Sequence, residues 1–427
     1  MTKPRSFAWI ATLSLAACTS APKPVTAPAP AAAPSGPPRV VTTQSGVKPE
    51  TAPVPAATPA QAPAAGAQAA LGAGGRGGRG GGGRGFQGVM DSARARQLYV
   101  SNDPRDLPKG NFDRDVESKR LTDSILTARA KGVVDFQKVT YKSRSDGMTV
   151  PAYLFAPISK RGAKGHAAMI WVHGGVHGNM DQLYWPFIKE AVERGYVIIT
   201  PDYRGSTGQG EAIHMAIDYG GMEVDDALSA VDYLKTLPYV DQDRLGMMGW
   251  SHGGFITALN AMRANPPFKA AAAIVPVTNL LFRLSLKGPS YARDFAAEPG
   301  VRGLPFENPD EYIRRSPLYQ VENLTIPLLV HVATNDQDVN YVEDQQLVWK
   351  LRALKPELSE TKVYVDPAPW GASVGHAFSR RVDPKTLERV DSPEQVDSWN
   401  RTWTFFDWWL RPYEDRSKPP PTVRVQP

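Results

Sequence analysis

From about residue 136 onward, the chain alternates short apolar runs with stretches whose apolar residues recur three and four positions apart. Short apolar runs bounded by glycine or polar residues predict buried strands, and the spaced pattern predicts helices. Strands are predicted at residues 139–142, 151–155, 167–172, 196–200, 245–248, 270–275, 326–332 and 362–365. Helices are predicted at residues 185–193, 223–237, 255–262 and 403–410, with a polar outer helical region at 91–132. Strands that alternate with helices predict an α/β domain with a mostly parallel sheet covered on both faces.

The stretch LGMMGWSHGGF, residues 245–255, carries a G-x-S-x-G pattern centred on Ser251. A strand-like run leads into the pattern and a helix-like run leads out of it. A strand that turns sharply into a helix strains the residue at the turn, and flanking glycines let neighbouring backbones pass closely. The context therefore favours Ser251 as a nucleophile at the end of a strand over a chance match.

A serine nucleophile needs a base to accept its proton and a carboxylate to orient that base. In strand-turn-helix hydrolases the residues follow the order Ser, acid, His. Three histidines follow Ser251 in the chain. His252 is its neighbour and is expected to point away, and His331 lies inside an apolar run. His376 is therefore the predicted base.

The acid is expected directly after a late strand. The loop after the strand at 326–332 reads ATNDQDV and offers Asp336 and Asp338. Loop aspartates also cap helices and form turns. Spacing alone leaves both residues open as the acid.

From about residue 136 to residue 410, the chain resembles the catalytic domain of prolyl oligopeptidase-type serine peptidases, which include acylaminoacyl peptidases and dipeptidyl peptidases. The resemblance rests on an ordered series of segments: DFQKVTYKSRSDGMTVPAYLFAP, IWVHGGVHG, TPDYRGSTGQG, MEVDDALSAVDYL, GWSHGGF, SPLYQVENLTIPLLVHV, NDQDV and GHAF. Such a series is more specific than any single motif. It implies an α/β-hydrolase fold with a mostly parallel central sheet and helices on both faces.

The resemblance also assigns the acid. In the family the acid lies three residues before the valine of a D-x-R-V loop, which falls on Asp336 ahead of Val339. The implied triad is therefore Ser251, Asp336 and His376. Where the family often has an arginine that holds backbone carbonyls of a peptide substrate, this chain has Asp338. That difference puts peptide specificity in question.

The oxyanion of an acyl-transfer intermediate needs at least two donors preset about 3 Å away. The backbone N–H of His252 is predicted to be one of them, because it follows the nucleophile. The second is expected from the HGGVHG loop, where glycines allow close backbone approach. The resemblance implies that the His173 side chain faces the oxyanion. A plain polar residue at a strand end is the alternative for His173, and Val176 N–H is the alternative donor.

Metal binding by His173 and His177 is not expected, because the glycines between them disfavour a helix and no acidic third ligand lies nearby. No cofactor is predicted.

Three aromatic residues are candidates for substrate binding. Tyr203 follows a strand, with turn formation as its alternative role. Phe282 and Tyr291 lie in an insertion that equally fits a packed loop.

Residues 1–17 resemble a lipoprotein signal peptide, with two basic residues, a short apolar run and small residues before Cys18. Cys18 is then the lipidated first residue of the mature protein, and a soluble secreted chain is the alternative. As the only cysteine, Cys18 excludes a disulfide within the chain. Anchoring to the membrane through Cys18, in the periplasm or at the outer membrane, is the expectation.

Residues 18–90 are Ala/Pro-rich and then Gly/Arg-rich, which predicts a disordered tether. Residues 1–90 hold eight basic residues against one acidic residue, whereas residues 91–410 carry a net charge of −3. Because the basic residues lie outside the predicted domain, the chain is not expected to bind nucleic acid. An RNA-binding role for the Gly/Arg segment is the alternative. Residues 411–427 are predicted to be a disordered tail.

The predicted domain, residues 91–410, fills one α/β unit and leaves no room for the β-propeller that gates larger members of the family. We therefore expect a serine hydrolase with an open site. The resemblance implies that it cleaves amide bonds of short peptides. A carboxylesterase acting on small esters uses the same machinery. An inactive binding protein of the envelope is a further alternative, and it predicts that Ser251 and His376 lie beyond hydrogen-bond reach.

Overall fold

The structure is a computed structural model that describes residues 111–287, 301, 305 and 307–418. Its centre is an eight-stranded sheet in the order β1-β2-β4-β3-β5-β6-β7-β8. The strands are β1 Asp135–Lys142, β2 Thr149–Ala156, β3 His166–Val172, β4 Val197–Pro201, β5 Val240–Trp250, β6 Ala270–Ile274, β7 Leu328–Ala333 and β8 Ser359–Tyr364.

The direction of the strands divides the sheet into two parts. β1 pairs with β2, and β2 pairs with β4, in antiparallel fashion. All pairs from β4 to β8 are parallel. Every residue of β3, β4, β6 and β7 is buried, as expected of parallel strands covered on both faces. The predicted α/β-hydrolase fold is confirmed.

Helices cover both faces of the sheet. They are α1 Phe112–Ala130, α2 Trp185–Glu193, α3 Glu211–His214, α4 Met222–Thr236, α5 His252–Ala261, α6 Pro309–Arg314, α7 Tyr341–Leu354 and α8 Pro393–Leu410. Residues 280–287 are also helical. One core contains side chains of α1, α2 and α8, and two further clusters contain side chains of α4, α5 and α7. α1 and α2 thus bury apolar residues on one face of the sheet, whereas α5 is buried almost all round.

A cluster of tryptophans lies beneath the end of β5. Trp171 of β3 and Trp250 of β5 have ring centroids 5.3 Å apart, and Trp399 of α8 lies 5.7 Å from Trp171. Trp403 adds a further ring 5.1 Å from Trp399. All four side chains are fully buried. Truncating one of them to alanine is expected to cost about 3–5 kcal/mol of folding free energy, so the cluster supports the strand end that carries Ser251.

The C-terminal region differs from expectation at both of its boundaries. α8 begins at Pro393, ten residues before the predicted start, because Ser392 caps it by accepting from Gln395 N–H. Residues 411–418, predicted to belong to a disordered tail, instead contact the domain. Arg244 donates to the carbonyl oxygens of Arg411 at 2.6 Å and Glu414 at 2.9 Å.

Within the described ranges, no helix combines the length and the apolar character needed to cross a membrane.

Candidate active site

Ser251 forms the turn between β5 and α5. Its backbone angles are φ 55° and ψ −120°, a strained combination for a residue with a side chain. The turn is fixed by a hydrogen bond from Ser251 N–H to the carbonyl oxygen of Ile274 on β6, at 2.9 Å. Strain held in place by the surrounding sheet is typical of the nucleophile turn of α/β-hydrolases. The side chain lies at the carboxyl edge of the sheet, as the G-x-S-x-G pattern predicts.

The glycines of this motif are required by close packing. A Cβ on Gly249 or Gly253 would lie under 3.0 Å from backbone atoms of the neighbouring turn and of β3. A Cβ on Gly174 would lie 3.0 Å from the carbonyl oxygen of Trp250 and 3.4 Å from Ser251 Cβ. The loop after β3 therefore passes directly beside the serine, and a side chain at position 174 would force these neighbours to shift.

Asp336 and His376 form a buried pair. His376 Nδ1 lies 2.7 Å from Asp336 Oδ2, and both residues are about 5 % exposed or less. The other oxygen, Asp336 Oδ1, accepts from the backbone N–H groups of Asp338 at 2.8 Å and Val339 at 3.0 Å. Because the carboxylate accepts a hydrogen bond from Nδ1–H, the neutral imidazole presents Nε2 as an acceptor. A base in this form can take a proton from a hydroxyl.

The segment that carries His376 packs against the strand end that carries Ser251. Trp250 Nε1 donates to Ser379 Oγ at 2.9 Å, and Arg380 lies 3.6 Å from the Cβ position of Gly174. Within the described residues, no hydrogen bond joins Ser251 Oγ to His376. Catalytic hydrogen bonds often tighten only when substrate binds. The polar group that contacts Nε2 here is Asp338 Oδ2, at 3.3 Å.

The loop after β3, residues 173–180, is called the β3 loop below. Tyr203 Oη donates to the carbonyl oxygens of Gly175 at 2.8 Å and His173 at 3.2 Å. In a trans peptide the C=O and the following N–H point in opposite directions. The bond to Gly175 therefore turns Val176 N–H away from Tyr203, and within the described chain that N–H has no acceptor. Val176 N–H is thus available as an oxyanion donor.

His252 offers the other predicted donor. Its N–H belongs to the first residue of α5 and has no acceptor within the described residues, as is usual at a helix start. Its side chain points away from the site, packs on Tyr219 with centroids 4.6 Å apart, and lies 3.5 Å from Glu223. Burial lowers the pKa of His252 to about 3 and raises the pKa of Glu223 to about 8. The imidazole is therefore a neutral packing group.

The structure places the His173 side chain away from an oxyanion role. The ring is fully buried, with Nε2 2.9 Å from Ser206 Oγ and Nδ1 3.1 Å from the carbonyl oxygen of Gly174. It stacks on Tyr203 at 4.3 Å. Burial lowers its pKa to about 4. His177 instead contacts the carbonyl oxygen of Gly205 at 2.8 Å.

The candidate substrate contacts also fall differently from expectation. Tyr203 is fully buried and positions the β3 loop, so it does not line a pocket. Phe282 is half-buried on the helical stretch 280–287. Tyr291 lies outside the described residues, as does Cys18.

Residues 187–381 match the model of the prolyl oligopeptidase family. This stretch contains Ser251, Asp336 and His376, in the order Ser, acid, His that strand-turn-helix hydrolases follow. This part of the chain is therefore similar to the prolyl oligopeptidase family.

Proteins with curated descriptions show the same similarity. The chain is 28 % identical over 286 residues to the uncharacterized peptidase YuxL of Bacillus subtilis, covering 66 % of this chain and 41 % of that protein. It is 27 % identical over 272 residues to dipeptidyl-peptidase 5 of Porphyromonas gingivalis, covering 60 % and 38 %. The chain thus spans about two-fifths of the length of these two relatives.

Solved structures share the fold. An acylaminoacyl peptidase in complex with Z-Gly-Gly-Phe-chloromethyl ketone superposes with a TM-score of 0.54 at 22 % identity, covering 68 % of this chain and 44 % of that one. Uncomplexed acylaminoacyl peptidase of Pyrococcus horikoshii gives a TM-score of 0.53 at 20 % identity, with the same coverage. At these identities the likeness establishes the fold alone.

Lys119 of α1 supports the β3 loop, and this role was not predicted from the sequence. The residue is 5 % exposed. Its Nζ lies 2.6 Å from Asp202 Oδ2, donates to the carbonyl oxygen of Met180 at 2.7 Å, and lies 4.4 Å from the centroid of the Tyr153 ring. Asp202 Oδ1 in turn accepts from Met180 N–H at 2.9 Å. The sequence did contain a signal for this role. Lys119 lies three residues before Thr122 and seven before Leu126, so helical spacing places it on the buried face of an otherwise polar helix.

Tyr184 is a second support without a local sequence signal. Its hydroxyl accepts from Gly174 N–H at 3.1 Å and from Arg380 at 3.2 Å. It thereby joins the β3 loop to the segment that follows His376. This contact links residues almost 200 positions apart in the chain, so no pattern in either segment predicts it.

Proposed function

We propose that the domain is a serine peptidase that cleaves amide bonds of short peptides through an acyl-enzyme intermediate. The observation that carries the proposal is the buried pair between Asp336 and His376 Nδ1, at the sheet edge where Ser251 is strained. This pair leaves Nε2 as the acceptor that a serine nucleophile requires. The peptidase names of the relatives support the same reaction class.

In the proposed mechanism, Ser251 Oγ attacks the substrate carbonyl carbon as its proton passes to His376 Nε2. Asp336 holds the imidazole in the required tautomer and stabilises the imidazolium. The N–H groups of His252 and Val176 stabilise the oxyanion. His376 then protonates the leaving amine, and water hydrolyses the acyl-enzyme with His376 again acting as base. The two oxyanion donors, His252 N–H and Val176 N–H, are in place before substrate binds, so little reorganisation opposes the reaction.

The test is hydrolysis by wild type and Ser251→Ala of a p-nitrophenyl short-chain ester and of aminoacyl and prolyl p-nitroanilides. The proposal predicts that wild type cleaves anilides and that Ser251→Ala reduces kcat by at least about 10³-fold. Circular dichroism of both proteins controls for folding. Unchanged anilide hydrolysis by Ser251→Ala contradicts the assignment of the nucleophile.

Two observations favour alternative functions. Asp338 stands where the family often has an arginine, and a carboxylate cannot donate to a peptide carbonyl, which favours a carboxylesterase. Cleavage of the ester alone, through Ser251, is the result expected of that enzyme.

The missing hydrogen bond between Ser251 and His376 is the feature expected of an inactive binding protein of the envelope. That function predicts no hydrolysis of either substrate.

We also propose that the chain is exported and anchored through a lipid on Cys18. The signal-like residues 1–17 and the small residues before Cys18 support this. Expression of the full chain with Cys18→Ser, followed by membrane fractionation, tests it. Release of the variant from the membrane fraction is the expected result, and an unchanged distribution contradicts the anchor.

A further inference from the structure

A second carboxylate contacts the imidazole on the side opposite Asp336. Asp338 Oδ2 lies 3.3 Å from His376 Nε2, while Asp336 Oδ2 lies 2.7 Å from Nδ1. In the proposed mechanism, Nε2 is the nitrogen that exchanges a proton with Ser251. Asp338 therefore lies at the reacting end of the base, where a bound substrate is also located.

Asp338 is held as an anion by surrounding cations. Lys287 Nζ lies 2.7 Å from Asp338 Oδ1, and Arg283 donates to the carbonyl oxygen of Asp338 at 3.1 Å. Burial on its own raises the pKa of Asp338, but the positive charges of Lys287, Arg283 and, when it is protonated, His376 outweigh burial and hold that pKa well below its usual range. An ionised carboxylate only accepts hydrogen bonds, so its natural ligand is a cationic donor.

The two cations near Asp338 differ in their other contacts. Arg283 also faces the buried carboxylate of Glu343 at 3.5 Å, and Lys287 is 17 % exposed at its side chain. The Asp338 side chain is 49 % exposed. Lys287 contacts Oδ1, so Oδ2 is the oxygen of this half-exposed side chain that faces His376. A ligand can reach Oδ2 without displacing Lys287.

Covalent geometry limits which substrate atom can reach Asp338. A reactive complex places the carbonyl carbon about 3–3.5 Å from Ser251 Oγ. The α-nitrogen of the same residue is about 2.5 Å from that carbon. The α-nitrogen is therefore the first polar group of the acyl part that can lie beside Nε2. As an ammonium it forms a charge-assisted hydrogen bond with a carboxylate, whereas an acylated nitrogen is neutral.

We propose that Asp338 binds the free α-ammonium group of the residue that acylates Ser251, so that the site selects substrates with a single unblocked residue before the scissile bond. This inference rests on the proposed function. The ammonium engages Oδ2, the oxygen that otherwise contacts His376 Nε2. Nε2 of the neutral imidazole remains available to accept the hydrogen bond from Ser251 Oγ, because an ionised carboxylate has no proton to donate to it.

The test compares kcat/KM at pH 7 for alanine p-nitroanilide, N-acetylalanine p-nitroanilide and alanylalanine p-nitroanilide. Wild type is expected to prefer the free over the acetylated alanine anilide by about tenfold or more. The alanylalanine anilide is expected to react more slowly than the alanine anilide, because its ammonium lies about 3.3–3.6 Å farther along the chain. Asp338→Asn is expected to bring the free-to-acetylated ratio close to one.

Asp243→Asn is the matched control. It removes the same charge from an exposed residue near the start of β5, far along that strand from Ser251. This variant is expected to keep the wild-type ratio. A second measurement needs no variant. As pH rises from 7 to 9, the substrate α-amino group, with a pKa of about 7.7–8.0, loses its charge, and the wild-type ratio should fall towards one.

The possible failures are distinguishable. If Ser251-dependent hydrolysis occurs but the acetylated or the dipeptide anilide reacts as fast as alanine anilide, the inference is overturned and the proposed function stands. The same holds if folded Asp338→Asn keeps the wild-type ratio, or if the wild-type ratio does not change with pH. If Ser251→Ala hydrolyses alanine anilide as fast as wild type, the proposed function fails and the inference fails with it.

Discussion

The two loops that frame Ser251 are held in different ways. The β3 loop is fixed from beneath by buried side chains of other elements: Tyr203, Ser206, Asp202 and Lys119. The loop after β7, residues 334–340, is called the β7 loop below. It is held by its own Asp336, which accepts from two backbone N–H groups of the same loop, and it presents Asp338 half-exposed at its surface.

This difference corresponds to what each loop is proposed to do. Oxyanion donors act best when their direction does not change during the reaction, so the core fixes the β3 loop. The β7 loop orients a base that must exchange protons, and its outer carboxylate lies 3.3 Å from Nε2, where a substrate ammonium group can bind to it. The fixed part of the site is buried, and the part that responds to substrate lies at the surface.

Asp336→Asn tests the β7 loop and should give the largest effect. The amide cannot hold His376 with Nδ1 as donor and stabilise the imidazolium, so kcat is expected to fall about 10⁴-fold. Hydrolysis of the best anilide under saturating conditions measures it. Asp366→Asn, an exposed carboxylate beyond β8 that contacts Thr334, is the control. A loss of less than tenfold in a folded Asp336→Asn variant rules out the assigned role.

Tyr203→Phe tests the β3 loop. It removes the hydroxyl that orients the peptide between Gly175 and Val176, and kcat is expected to fall about tenfold, less than the 10²–10³-fold typical of deleting an oxyanion donor outright. Tyr141→Phe is the control, because Tyr141 also donates from a buried hydroxyl to a backbone carbonyl, that of Asp226, at 2.8 Å. Equal kcat losses in both variants mean that Tyr203 acts only through stability.

Lys119→Met tests the outer support of the β3 loop and should have the smallest effect on activity, a few-fold in kcat. Breaking its buried pair with Asp202 is expected to lower the free energy of unfolding by about 3 kcal/mol. Urea denaturation measures this loss. Lys138→Met breaks an exposed pair with Asp123 and is expected to cost less than about 1 kcal/mol. Similar losses in the two variants argue against a supporting role for Lys119.

The features that depend on local patterns were predictable from the sequence. The strand and helix periods predicted the sheet, and the glycines around Ser251 predicted its turn, because both follow from neighbouring residues. The orientation of His173 was not predictable, since Ser206 sets it from 33 positions away. The contact between Asp338 and His376 joins two loops, and only the folded chain brings them together.

The most direct test of the triad is covalent labelling with diisopropyl fluorophosphate, followed by peptide mass spectrometry, because the reagent needs no knowledge of the natural substrate. The account predicts a single adduct on Ser251 in wild type and labelling slowed by at least about 10²-fold in His376→Ala, which lacks the base. No adduct on Ser251, or labelling of His376→Ala at the wild-type rate, would contradict a nucleophile activated by the Asp336–His376 pair.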